Sequence, residues 1–191
     1  MNKTSLVLLI LFQTVFAKLN AQEDSKKSMF IISPGFAIFN KGGQYGISFS
    51  NEYTRNINKH FTYGARYVFA HGEGDVEGLR PKHDIHISTT ALDLNGFYKP
   101  FNSTKHLLLL GLGVSIDYTR TSYLSNTDYF IIDDEIYTTA DTDGTFSLIV
   151  PVFNMHYYYN FNKNMFLGCN VNIRDLSLYQ YIIGLGAGIK F

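Results

Sequence analysis

Eight stretches of this chain alternate between apolar and polar residues, and each is bounded by turn-forming residues. They run roughly Met29–Phe39, Gln44–Arg55, His60–Ala70, His86–Lys99, His106–Arg120, Thr145–Asn160, Met165–Ile173 and Tyr179–Phe191. A period of two puts alternate side chains on opposite faces of a strand, so each stretch predicts a β-strand. Each is at least about as long as the ~9–11 residues a tilted strand needs to cross a bilayer. The links differ in kind. Asn56–Lys59, Pro100–Lys105 and Phe161–Asn164 are short and polar. His71–Ile85 and Thr121–Gly144 are long, and Asn40–Gly43 and Arg174–Leu178 are shorter members of the same alternating set. Short turns on one side and longer loops on the other suit an up-and-down transmembrane barrel, with both chain ends on the short-turn, periplasmic side.

The two faces of these strands are unlike. Phe61, Tyr63, Ala65, Tyr67 and Phe69 share one face of the third strand, with Thr62, Gly64, Arg66, Val68 and Ala70 on the other. In the fifth, Leu108, Leu110, Leu112, Val114, Ile116 and Tyr118 oppose Gly111, Gly113, Ser115, Asp117 and Thr119. The eighth sets Tyr181, Ile183, Leu185, Ala187, Ile189 and Phe191 against Gly184, Gly186, Gly188 and Lys190. A soluble ligand-binding barrel would carry bulky apolar groups inside and charges outside. Here the crowded small and polar face fits the lumen of a narrow eight-strand barrel, and the oily face belongs against lipid. The charges follow the same division: Glu52, Arg66, Asp93, Lys99, Asp117 and Lys190 take the inner parity, and Arg174 continues it. Buried charges need partners, so Glu52, Arg66, Asp93, Asp117 and Arg174 are expected to form an interior polar network. Strand one is apolar on both faces, Asn51 shares the outward parity of Ile47 and Phe49, and Pro151 in strand six predicts a bulge or a strand-end distortion.

Residues 1–21 have the layout of a secretory signal peptide: Lys3, an apolar run from Leu6 to Phe16, then small residues at Ala17 and Ala21. The run falls short of the ~20 residues of a spanning helix. Cleavage is expected after Ala21, with Ala17 as the alternative. A polar leader, 22–28, and one barrel domain, 29–191, follow. The formal net charge is zero, which gives no pull towards nucleic acid. Cys169 is the single cysteine, so there is no internal disulfide framework.

With these residues in view, the chain from Met29 to Phe191 resembles the small outer-membrane barrels of the OmpA/OmpX type. The resemblance rests on the alternating final strand ending in Phe191 and on the Gly-rich alternation of strands five and eight. It implies an all-β, eight-stranded antiparallel barrel in a bacterial outer membrane, surrounded by lipid and lipopolysaccharide and inserted by the barrel-assembly machinery. The composition, rich in Asn, Lys, Ile and Tyr, looks like barrels of Bacteroidota-type bacteria. The resemblance speaks to placement more than to function; a structural or surface-interaction role is expected, without cofactor and without an open channel, which eight strands do not leave.

Three features suggest chemistry. His86-Ile87-Ser88 is similar to the His-x-Ser of outer-membrane lipid A deacylases, where His serves as base and Ser as nucleophile. Glu73 or Asp84 would orient the His, and Thr89 replaces that family's Asn. The acidic stretch Asp128, Asp133, Asp134, Glu135, Asp141 and Asp143 lies in the long link 121–144, where a projecting hairpin could meet a surface partner. His71, His83 and His86 surround the other long link, and imidazoles are transition-metal ligands.

Overall fold

The computed structural model describes residues 28–39, 44–75, 84–101, 103–132, 135–174 and 180–191. Its strands are β1 (Ser28–Phe39), β2 (Gln44–Asn56), β3 (Phe61–Asp75), β4 (Asp84–Tyr98), β5 (His106–Ile132), β6 (Glu135–Asn160), β7 (Met165–Arg174) and β8 (Gln180–Lys190). Each pairs antiparallel with the next, and β1 pairs with β8, so the sheet closes into an eight-stranded barrel. The seam is sealed by backbone: Ser28 N–H donates to the Phe191 carbonyl at 2.8 Å, and Phe191 N–H donates to the Ser28 carbonyl at 2.9 Å. Ser28 therefore opens β1 instead of ending the polar leader. The expected signal peptide and the rest of the leader lie outside the described residues, as does the 40–43 link.

The three short turns share one device. The Asn58 side-chain oxygen accepts from the backbone N–H groups of His60 and Phe61, and Asn162 does the same for Asn164 and Met165. Ser103 takes this part for Lys105 and His106. A short polar side chain folding back on the next backbone amides is what makes Asn and Ser turn residues. Aromatic rings collect at this end: Phe61 with Tyr98, His106 with Tyr157, Tyr159 with Phe161, and Tyr53 with Phe191.

At the opposite end the strands outrun the expected boundaries. β5 and β6, 27 and 26 residues long, continue through most of the stretch expected to be a loop. Pairing between β4 and β5 stops at Ile85↔Tyr123, whereas β5 and β6 remain paired to Ile132↔Glu135. At ~3.3 Å per residue, this hairpin extends about 30 Å of strand past its β4 neighbour.

Pro151 does accompany a bulge, two residues away. Ser115 pairs with Val150 and Ile116 with Leu148, leaving Ile149 unpaired with φ of 62°. A β-branched residue in the left-handed region is strained. The extra residue reverses the phase of everything above it. Phe146 thereby points outward at 62% exposure, and Ser147 turns to the lumen.

Every strand contributes exposed apolar residues to the outside: Phe36, Ile47, Tyr67, Leu94, Leu112, Phe153, Leu167 and Leu185, in strand order. Leu112 is 71% exposed, while Arg66 and Arg174 are each 1% exposed. The lumen, however, is not simply small and polar. Phe39, Val68, Ile85, Ile87 and Ile182 form an apolar plug towards the long-hairpin end. Met29, Ile31, Phe97, Leu109, Tyr158 and Phe166 form another towards the turns. Glycines make room for these rings: a Cβ at Gly111 would lie 2.5 Å from the Phe97 ring, and one at Gly186 would lie 2.7 Å from Tyr158.

Candidate functional site

Between the two plugs lies a polar belt. Arg66 on β3 faces Glu52 on β2 and Asp93 on β4, which in turn faces Ser115 on β5. Glu52, Arg66, Asp93, Asp117 and Arg174 are all buried in the lumen. They are not joined as one ionic cluster. Arg174 reaches across from β7 to pair with Asp93 and with Asp117, the latter at 3.1 Å, and donates to Ser115 Oγ at 2.5 Å. Ser115 in turn donates to Asp117. Arg66 donates instead to Ser50 Oγ at 3.0 Å and Asn154 Oδ1 at 3.2 Å. Asn154 donates to Asn95 Oδ1 at 2.9 Å and accepts from Asn172 at 2.5 Å. Glu52 lies 3.6 Å from His156 Nδ1.

Sequence reasoning missed Ser50, Asn95, Asn154, His156 and Asn172 as members. Inward parity was available as a signal for each. Their pairing across the lumen depends on closure, which brings β3 against β6 and β7 against β4. Hydrogen bonds from Arg66 and Arg174 tie strands together across the lumen, with Phe97 below; above, beside Phe39, Thr89, Asp117 and Ser147, a cavity of about 140 Å³ remains.

A second cluster lies on the outside, near the long-hairpin end. His71 and Glu73 stand two residues apart on β3, opposite Ser88 and His86 on β4. All four point outward. The structure does not bring His86 to Ser88. The Ser88 hydroxyl is 2.8 Å from His71 Nδ1, and His86 Nδ1 is instead 3.3 Å from Glu73 Oε1. Ser88 meets the residue directly across the ladder, where partners approach to ~4.5–5.5 Å. His71 Nε2 lies 3.4 Å from the same Glu73 oxygen, and the His71 and His86 rings stack with centroids 6.3 Å apart. Glu73 is thus the acidic neighbour of both imidazoles. His83 lies outside the described residues.

Of the acidic stretch, Asp133 and Asp134 lie outside the described residues; Glu135, Asp141 and Asp143 fall on the paired backbone of the β5–β6 hairpin, Asp128 falls in the register shift between Ser125 and Tyr129, and Asp143 is exposed.

No protein-family model and no curated protein matches this chain. Solved structures do. The attachment invasion locus protein Ail of Yersinia pestis superposes with a TM-score of 0.58 at 14% identity, over 88% of this chain and 100% of Ail. Neisserial surface protein A gives 0.53 at 13% identity, over 88% and 100% of the two chains. OprG of Pseudomonas aeruginosa, an outer-membrane protein, gives 0.53 at 17% identity, over 88% and 98%. The fold is that of the small outer-membrane β-barrels. Ail has also been solved with the heparin analogue sucrose octasulfate, and that structure superposes with a TM-score of 0.55 at 13% identity.

Proposed function

We infer that this chain is an integral protein of a bacterial outer membrane, with a structural or surface-interaction role and no open pore. One observation carries the reading: a closed barrel wears an apolar band on all eight strands while Glu52, Arg66, Asp93, Asp117 and Arg174 sit inside. Soluble proteins rarely expose apolar patches beyond a few hundred Å², and a closed barrel is the β-architecture that hydrocarbon tolerates, because no edge is left unpaired. A soluble ligand-binding barrel would invert this arrangement.

On this reading the short turns and both chain ends face the periplasm, and the turn-end aromatic rings lie at headgroup level. Residues 1–21 serve as the export signal. Phe191 and the alternating β8 are what the assembly machinery would engage. The two apolar plugs across the lumen argue against transport. The projecting β5–β6 hairpin is the natural contact for a surface partner, and lipopolysaccharide surrounds the outer rim. The heparin analogue held by Ail supports, for this chain, an anionic polysaccharide as the class of partner to test first. A non-catalytic role accords with this arrangement.

Fractionation of cells expressing the full chain tests the placement. The expected outcome is recovery with the outer membrane, and faster migration on a cold gel than after boiling, as a closed barrel resists detergent until heated. Recovery in the soluble fraction without detergent would end the reading.

A further inference from the structure

We propose that His71, Glu73 and His86 form a binding site for a single divalent transition-metal ion of the Zn²⁺ class, on the outward face of β3 and β4. This is the one group of His, Cys and acidic side chains among the described residues whose donor atoms converge: all lie within 4.8 Å of one another. The inference does not rest on the membrane reading, because it needs only the paired strands.

The geometry begins in the sheet. Two residues at i and i+2 share a face, and the cross-strand partner of one of them completes a triangle. His71 and Glu73 supply the first two corners and His86, directly opposite Glu73, the third. Tetrahedral Zn²⁺ bound at ~2.1 Å to nitrogen and oxygen sets its ligand atoms about 3.4 Å apart. Glu73 Oε1 lies 3.4 Å from His71 Nε2 and 3.3 Å from His86 Nδ1. Two imidazoles and one carboxylate are a donor set that Zn²⁺ takes with one position left open. Each donor is at least partly exposed, so an ion can enter from solvent.

Ser88 supports the assignment. A ligating imidazole usually donates its other ring N–H to a fixed acceptor, which sets its tautomer and orientation. Ser88 Oγ lies 2.8 Å from His71 Nδ1, leaving Nε2 for the metal. Arg120, exposed on β5 opposite Ser88, is the nearest cationic side chain in the strand register. It stands on the far side of Ser88 from His71, where it opposes an added cation less than it would from β3. With the ion bound, the open position would accept water or an anionic oxygen.

The test uses the folded full-length protein in detergent, freed of metal by chelation, with Zn²⁺ and Co²⁺ as the probes. Calorimetric titration should show one saturable Zn²⁺ per chain, and Co²⁺ should develop the visible absorption of a four- or five-coordinate site. His71→Ala, Glu73→Ala and His86→Ala should each abolish the Co²⁺ spectrum. Ser88→Ala should keep it but weaken Zn²⁺ binding by about 10-fold. All four variants replace outward groups and should keep the heat-dependent gel shift, which establishes that they fold. Absence of saturable binding would overturn the proposal. So would binding unchanged in the three ligand variants, since the ion would then sit elsewhere, for instance on the carboxylates of the β5–β6 hairpin.

Discussion

Arg174 carries more of the lumen's polar order than its position at the end of β7 suggests. Its guanidinium is the shared partner of Asp93 and Asp117 and also donates to Ser115. Removing one member of a buried pair leaves the other charge without compensation, at a cost of about 3–5 kcal/mol. Arg174→Met is therefore expected to lower the unfolding free energy of the refolded barrel by that order, seen as a lower urea midpoint. A variant that also carries Asp93→Asn and Asp117→Asn should recover much of the loss. Equilibrium urea unfolding of these proteins in the same lipid checks both statements. All five charged members of this belt stood out from parity alone, because a charge on the lipid face costs ~2–4 kcal/mol and so is kept off it. Which charge meets which was not readable: Arg174 and Asp93 are 81 positions apart in the chain. The same limit applies outside the barrel. His86 and Ser88 are close in sequence, yet Ser88 finds its imidazole on the neighbouring strand at His71.

At the scale of the elements, the glycine-bearing face of β5 is fitted to the plug beneath the belt. Gly111 pairs with Phe97, whose ring fills the space a Cβ would take. Gly111→Val should prevent or strongly slow folding into liposomes, and Phe97→Ala in the same chain should partly restore it, read by the fraction showing the heat-dependent gel shift. Overpacking a filled interior typically costs ~1–3 kcal/mol for added methylenes, and more where backbone must move. The β5–β6 hairpin behaves differently. Beyond Tyr123 it pairs only within itself among the described strands. Deleting 124–142 with a short turn in its place should leave the gel shift and the refolding yield unchanged, whereas loss of the barrel would show that the hairpin helps to close it. Its tip was legible as a hairpin, since Tyr129–Ile132 and Ile136–Thr139 flank the acids and do pair; its continuity with the barrel strands was hidden, because acids interrupt the alternation between them. The phase reversal at Ile149 was equally hidden. Pro151 signalled an irregularity, but a bulge is a matter of partner count across the ladder, which one strand alone does not display.

For the whole molecule, the band of exposed apolar side chains decides the solvent. Leu112 and Leu185 are 71% and 69% exposed on the outer face. Leu112→Lys or Leu185→Lys should cost ~2–4 kcal/mol in a bilayer if these positions lie near its midplane. The loss is expected in lipid vesicles, by equilibrium unfolding, and should be smaller in detergent micelles, where the headgroup reaches water easily. A neutral or stabilising outcome in vesicles would indicate an aqueous exterior.

Sequence by itself determined the number of strands, their order and the division between oily and polar faces. Those follow from alternation and turn chemistry, which act over a few residues. Tertiary structure decided how far β5 and β6 extend, where β6 changes phase, how apolar rings cap the lumen at both ends, and which polar groups touch. These depend on closure of the sheet, which joins side chains from strands far apart in the chain. The convergence of His71, Glu73 and His86 belongs to the second group: one ligand triangle needs two strands, and only their register sets the distance.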